Sequence, residues 1–432
     1  MKRVANKNQV VVEVLEGRTM MSASPLAISQ VPVGNGVELQ IRGTAKNNQM
    51  TLSQTGEGLL VSNNGSSQTV AGQFSDIKLF GGAGNDSVLV DSSVTTDCFL
   101  YGGAGKNKLQ AGSGNDTLVC IGSTSDTLVG GAGNDSFWMD NKASEKITGL
   151  RSDEIAGGNV HKVNAFYSAP TASRQAKAQA KARLGSYVVQ PSTTDGSTYQ
   201  NFSDHPLFGT AGPSENDVVQ GQVGDCFFLS VLSSVAKVDA NKIRQSILDL
   251  GNGTYLVQFS GKTGTSFVHV NGELPVNGYG QLDYAGLGAQ GSTWVAIIEK
   301  AFAAYHGTTA SYASIDGGWM SDSYAALGCR STSFYGGTGA ADLMNQIETA
   351  LNAGESVTYG TIRVADGASL IASHAYTVDS IVTDSHGNVT GLELRNPWGV
   401  DGAGNDGHND GYVIVTAAQA YDSMAGVTMA FV

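Results

Sequence analysis

Gln220-Gly221-Gln222-Val223-Gly224-Asp225-Cys226-Phe227-Phe228-Leu229 decides how the C-terminal half of this chain is read. The first part is a loop punctuated by glycine. From Cys226 onward, Phe227, Phe228, Leu229, Val231, Leu232 and Val235 form an apolar run that predicts a buried helix. A thiol at a helix start feels unpaired backbone N–H groups and the positive end of the helix dipole, and both favour the thiolate. The bland reading of Cys226 is a small core residue. The sharper one, a nucleophile, needs a base, an orienting group and an oxyanion donor elsewhere in the chain.

His374 is the candidate base. It opens a strand-like segment, Ala375-Tyr376-Thr377-Val378-Asp379-Ser380-Ile381-Val382, and Asp384-Ser385-His386-Gly387-Asn388 is a polar turn. A second strand, Val389 to Arg395, runs back into Asn396-Pro397-Trp398-Gly399. Folding this hairpin about Ser385 places His374 roughly opposite Asn396, where cross-strand neighbours lie about 5 Å apart. An Asn carbonyl taking a hydrogen bond from the imidazole fixes its tautomer and orientation. Pro397 ends the ladder, and Trp398 is placed to cover the pair. Of the other histidines, His269 sits in a strand and reads as structural, and His386 lies at the hairpin tip and reads as exposed.

Gln-Gly-x-x-Gly-Asp-Cys-Phe-Phe-Leu, Ser-His-Ala-Tyr-Thr-Val and Leu-Arg-Asn-Pro-Trp-Gly, in that order, resemble the catalytic core of calpain-type cysteine proteases. The block from Trp294 to Phe302 is similar to the helix that lies between the Cys and His segments in that family. The resemblance runs from about Asp204 to Val432. It implies Cys226 as nucleophile, His374 as general base and then acid, Asn396 as orienter and Gln220 as oxyanion donor, with Trp398 beside the Asn. It also implies a papain-like α+β core with a helical half carrying Cys226 and a β-rich half carrying His374 and Asn396. The chain departs from the family pattern at Phe227, often Trp, and at Ser373, commonly Gly. Asp217 matches an acidic ligand of a core calcium site in animal relatives, but Ser292 and Thr293 stand where its acidic partner is expected.

A different pattern occupies residues 76–140. Gly81-Gly82-Ala83-Gly84-Asn85-Asp86 recurs as Gly102-Gly103-Ala104-Gly105-Lys106-Asn107, as Ala111-Gly112-Ser113-Gly114-Asn115-Asp116 and as Gly130-Gly131-Ala132-Gly133-Asn134-Asp135, with a worn copy from Ile121 to Asp126. Starts at 102, 111, 121 and 130 are spaced by nine or ten residues, and an apolar pair follows each copy. This resembles the nonapeptide calcium repeats of RTX proteins, which coil into a parallel β-roll. The resemblance implies Ca2+ held by carbonyl and carboxylate oxygens between turns two copies apart. Asp116 and Asp135 form the favoured pair, and Asp86 and Asp126 are further candidates. Gly402-Ala403-Gly404-Asn405-Asp406 repeats the word without neighbouring copies and reads as a loop.

The expected fold is therefore multidomain: an N-terminal β-rich region with a parallel β-roll, then a C-terminal α+β papain-like, calpain-type core. The divisions are residues 1–26, an export or envelope-type segment; 27–150, β-rich with the repeats; 151–203, a linker; 204–330, the Cys-bearing half; and 331–432, the His/Asn-bearing half. Within the linker, residues 174–183 are basic and Ala-rich, a solvated helical spacer or a self-processing site. Among 432 residues there are 57 Gly and 15% charged residues, which suit rolls and turns. A net charge of −13 disfavours nucleic acid as partner and suits calcium. No apolar run reaches the length of a membrane span. Val14 to Ala23 resembles a short N-terminal motif of planctomycete-type envelope and extracellular proteins, so the expected location is extracellular or in the cell envelope. The functional expectation is an exported, calcium-influenced thiol endopeptidase acting on protein or peptide substrates, itself included. The rival is a non-enzymatic calcium-binding envelope or adhesion protein with a degenerate protease domain. A Cys98–Cys120 disulfide is left open by the sequence.

Overall fold

The computed structural model describes residues 26–123, 125–181, 187–261, 264–404 and 408–432. The N-terminal motif at 14–23, part of the Ala-rich segment and Asn405 and Asp406 lie outside these residues.

The first half is a parallel β-roll built from two seven-stranded sheets. One sheet stacks Asp76–Phe80, Cys98–Tyr101, Thr117–Cys120, Ser136–Asp140 and Val160–Val163 in parallel. The other stacks Gln49–Thr55, Ser87–Val90, Lys108–Gln110, Thr127–Val129 and Lys146–Thr148. Each repeat word turns the chain from one sheet to the other, and the apolar residue after it points inward. Leu79, Val88, Leu100, Leu109, Leu118, Leu128 and Phe137 are all fully buried between the sheets. Antiparallel hairpins from residues 27–70 close the N-terminal end. Val160–Val163 lies inside the stretch read as a linker, yet it completes the first sheet. Its short apolar alternation is too brief to stand out in sequence. Cys98 and Cys120 are both buried and both free.

The second half is the α+β region. The Cys226–Val238 helix buries Phe228, Leu229, Val231, Leu232 and Val235 completely, at roughly 2 kcal/mol for each such side chain. The Trp294–Tyr305 helix packs beside it, with Phe228 stacked on Phe302 at 3.8 Å. A six-stranded antiparallel sheet has the order Arg330–Phe334, Met424–Phe431, Ser356–Thr361, Ala375–Thr383, Val389–Arg395, Tyr412–Thr416. The helix lies against this sheet: Thr377 Oγ1 donates to the Ser230 carbonyl at 2.8 Å, and Ser234 Oγ to the Val357 carbonyl at 3.1 Å.

Roll and α+β region share a core of their own. Tyr101, Val119, Trp138, Leu248, Leu256 and Phe267 bury one another, and Trp138 stacks on His161 at 3.9 Å. Lys78 from the roll bonds Glu38 at 2.6 Å and Asp249 of the α+β region at 2.7 Å. No helix of the described residues is long and apolar enough to cross a membrane.

Candidate active site

Cys226 opens its helix as the sequence predicts, and Asp225 holds the N-cap position. The loop ahead is tightly packed. Gln222 N–H donates to the Asp283 carbonyl at 2.9 Å, and a Cβ on Gly221 would lie 2.2 Å from the Tyr284 carbonyl, so only glycine fits there. Gln220 N–H donates to the Pro397 carbonyl at 2.8 Å, tying this loop to the residue after Asn396. Gln220 Nε2 donates to the Val223 carbonyl at 2.8 Å, which uses one of its two N–H bonds.

His374 Nε2 lies 2.9 Å from Asn396 Oδ1. The amide orientation follows from its neighbours: Asn396 Nδ2 donates to the Asp401 carbonyl at 3.1 Å, and Oδ1 also accepts from Trp398 N–H at 3.0 Å. Nε2 of His374 must then be the donor, which leaves Nδ1 as the basic nitrogen. The Trp398 ring covers the imidazole at 4.8 Å, and Tyr376 meets it edge-on at 5.0 Å. The hairpin pairs Thr377 with Arg395, and irregularities near Asp379 and Thr383 shift its register. Asn396 is therefore diagonal to His374 rather than directly across from it, still within reach of a side-chain bond. Ser373 has φ +52°, a left-handed conformation that favours glycine.

The thiol differs from expectation. Burial pushes Cys226 up to about 11, only partly offset by the backbone N–H of Ala375, which lies against the sulfur. Burial likewise holds His374 below its usual value, opposed by its bond to Asn396. The helix start alone does not hold a thiolate here, because desolvation outweighs it. His269 is structural, bound by the Tyr187 carbonyl and the Thr254 hydroxyl, and His386 is exposed.

Three buried charged residues of this region were not singled out in the sequence. Arg395, 2% exposed, reaches from the His/Asn half to Val218, Ser233 and Asn216 of the Cys half. Asp225 and Glu299 are buried beside each other behind Cys226. The adjacent charges Glu299 and Lys300 inside the otherwise apolar run from Val295 to Ala304 were the available signal for Glu299.

The acidic repeat residues form ladders along the roll. Asp116 accepts from Cys98 N–H at 2.7 Å and Gly112 N–H at 2.9 Å; Asp135 accepts from Asp116 N–H at 2.9 Å and Gly131 N–H at 2.8 Å. In the other ladder Asp86 accepts from Asn48 N–H at 2.7 Å and Asp126 from Asn107 N–H at 2.6 Å. Copies two apart do stack, and burial pushes Asp116 up to about 7 and Asp135 to about 6. Carboxylate and carbonyl oxygens are the donors calcium takes, and Asp86 Oδ2 is buried without a hydrogen-bond partner, so the donor chemistry of the roll fits that ion. Among the described residues, no three His, Cys, Asp or Glu converge as a metal cluster. Asp217 does not fit: its carboxylate is already taken up by Trp294 Nε1, Ser214 N–H and Ala289 N–H, which donate to it at 2.8, 2.9 and 2.8 Å.

Comparison with known proteins gives two family matches. Residues 193–409 match the calpain family cysteine protease model, and residues 99–119 and 121–138 match the RTX calcium-binding nonapeptide repeat. The chain is 30% identical over 223 residues to Calpain clp-4 of Caenorhabditis elegans, covering 48% of this chain and 30% of that protein. It is 27% identical to the calpain-type cysteine protease ADL1 of rice (Oryza sativa subsp. japonica), covering 46% and 10%. It is 28% identical to the calpain-1 catalytic subunit of Mus musculus, covering 45% and 29%. The chain thus spans less than a third of the length of these relatives.

Proposed function

We propose that this chain, which belongs to the calpain family of cysteine proteases, is an active thiol endopeptidase that hydrolyses peptide bonds through Cys226, His374 and Asn396. The observation that carries this reading is the 2.9 Å bond from His374 to a fixed Asn396 amide, with the Cys226 sulfur against the next residue's N–H.

His374 Nδ1 takes the thiol proton as Cys226 attacks the substrate carbonyl. Forming the ion pair only on attack suits a buried thiol held above its usual value. Asn396 keeps the imidazolium oriented, and Trp398 shields the bond from water. The tetrahedral oxyanion is held by the Cys226 backbone N–H and the second Nε2 hydrogen of Gln220. The imidazolium then protonates the leaving amine. Water, deprotonated by His374, hydrolyses the thioester and frees Cys226. Casein cleavage by wild type and by His374→Ala tests this; equal rates would exclude the base.

The repeats support a calcium-binding roll, with Asp116 and Asp135 as favoured ligands and Asp86 and Asp126 as further ones. When bound, calcium would neutralise buried carboxylates between turns. Circular dichroism during calcium titration of Asp116→Ala/Asp135→Ala against wild type tests it; identical responses would remove this site. Protein or peptide substrates, self-processing in the Ala-rich segment, and an extracellular or envelope location complete the proposal. The domain divisions at 203 and 330 belong to it as well, while the roll runs past 150 to Val163. RTX-type repeats, typical of secreted proteins, support export. Fractionation of the native host tests the location.

A further inference from the structure

Asp225 caps the catalytic helix in sequence but not with its side chain. Its carboxyl makes no capping hydrogen bond and is turned inward, 0% exposed. There it lies against Glu299 of the Trp294–Tyr305 helix, which is 1% exposed. The Gln220 side chain lies against the same carboxyl, where its lowering influence is smaller than the raising influence of burial. Ala285 N–H donates to Glu299, 3.0 and 3.1 Å from its two oxygens, and among the described residues no other residue's N–H or O–H donates to either acid at hydrogen-bond geometry.

The polar atoms around them do not balance if both acids are ionised. Asp225 Oδ1 and Oδ2 and Gln220 Oε1 are all buried without a donor. These are acceptors facing acceptors, an arrangement that costs free energy at each atom. Two carboxylates in contact and out of water cannot both keep their charge. Adding a proton to each acid removes the conflict. Glu299 then donates to Asp225, and Asp225 donates to Gln220 Oε1. Gln220 Nε2 stays on the side where it already meets the Val223 carbonyl.

We propose that Asp225 is a positioning residue for the oxyanion donor: protonated, and backed by protonated Glu299, it holds the Gln220 amide so that Nε2 faces the cleft. This rests on reading the chain as a thiol protease with Gln220 as oxyanion donor. Burial, the leading influence on both acids, supports it by pushing Asp225 up to about 8 and Glu299 well above its ordinary value. The other titratable groups near the pair are Asp316, Cys226, Tyr312 and Tyr199, each neutral or negative. Raising the pH through about 8 therefore removes the donor from Gln220 and adds a charge beside the thiol.

The test compares hydrolysis of a peptide substrate with alkylation of Cys226 by iodoacetamide, which builds no oxyanion. In the full chain, Asp225→Ala should lower kcat about tenfold or more with little change in KM. Its alkylation rate should stay within about threefold of wild type. Asp225→Asn, which donates without titrating, should restore kcat relative to Asp225→Ala and move the alkaline limb of kcat to higher pH. Equal losses in hydrolysis and alkylation, or an Asn variant as slow as the Ala variant, would overturn the proposal. If Asp225→Ala does not fold, an alkaline limb left unmoved in Asp225→Asn overturns it alone. Failure of the protease reading looks different: wild type then shows neither hydrolysis nor preferential alkylation of Cys226.

Discussion

Arg395 Nη2 donates to the Val218 carbonyl at 3.0 Å, and so joins the residue before Asn396 to the segment that leads into the Cys226 loop. Its Nη1 reaches Ser233 Oγ at 3.3 Å and its Nε reaches Asn216 Oδ1 at 3.2 Å. One buried guanidinium thus sets the two halves of the cleft against each other. Arg395→Met removes all three donors and leaves the Val218 carbonyl without one; the expected loss is roughly 3 kcal/mol of stability. kcat should fall with it. Chemical denaturation and peptide hydrolysis measure both, and an unchanged variant would show that the clamp is dispensable.

Asn396→Ala removes the acceptor that fixes the His374 tautomer. Loss of the equivalent orienting group in a protease triad lowers kcat by as much as about 10,000-fold. The sign of the pH effect also follows. Burial lowers His374 and Asn396 raises it, so the acid limb of wild-type activity lies below the ordinary histidine value. Without Asn396 it should move lower still. A pH–rate profile of both proteins checks this, and a limb moving upward would contradict it.

Ser373 adopts a φ of +52° beside His374. Ser373→Gly relieves a left-handed non-glycine residue and should raise stability by about 1 kcal/mol, less whatever the more flexible unfolded chain takes back. Thermal melting of the variant against wild type reads the difference; a lower melting temperature would mean that the backbone there is not strained.

The acidic ladder predicts an effect that calcium binding alone does not. Asp135→Ala strips the acceptor from Asp116 N–H and Gly131 N–H. The roll should lose roughly 2–4 kcal/mol even in excess chelator. If Asp135 serves only calcium, the melt in chelator will match wild type.

Much of this was legible in the chain. The helix start at Cys226 stood out because six apolar residues, Phe227 to Val235, follow it. The 375–395 hairpin stood out because two β-rich runs flank a polar Asp-to-Asn turn. The repeat words announced the roll, and residues 91–97, which lack the word, still form a turn stacked on the Ala111–Asp116 copy, with Ser113 N–H donating to the Val94 carbonyl at 2.9 Å. The register irregularities near Asp379 and Thr383 were not legible, since they depend on pairing across the hairpin. Nor was the environment of the thiol: local sequence showed the favourable helix dipole, while the opposing desolvation comes from burial in the folded chain. Asp217 read as a metal ligand for the same reason, because its indole donor, Trp294, lies 77 residues away.

The central claim is that Cys226 is a working nucleophile. Treatment of the full chain with a cysteine-directed epoxide, followed by peptide mass mapping and a casein assay, tests it most directly. The account predicts an adduct on Cys226, loss of cleavage on labelling, and no cleavage by Cys226→Ala. No adduct on Cys226 with or without calcium, or cleavage that survives Cys226→Ala, would contradict it.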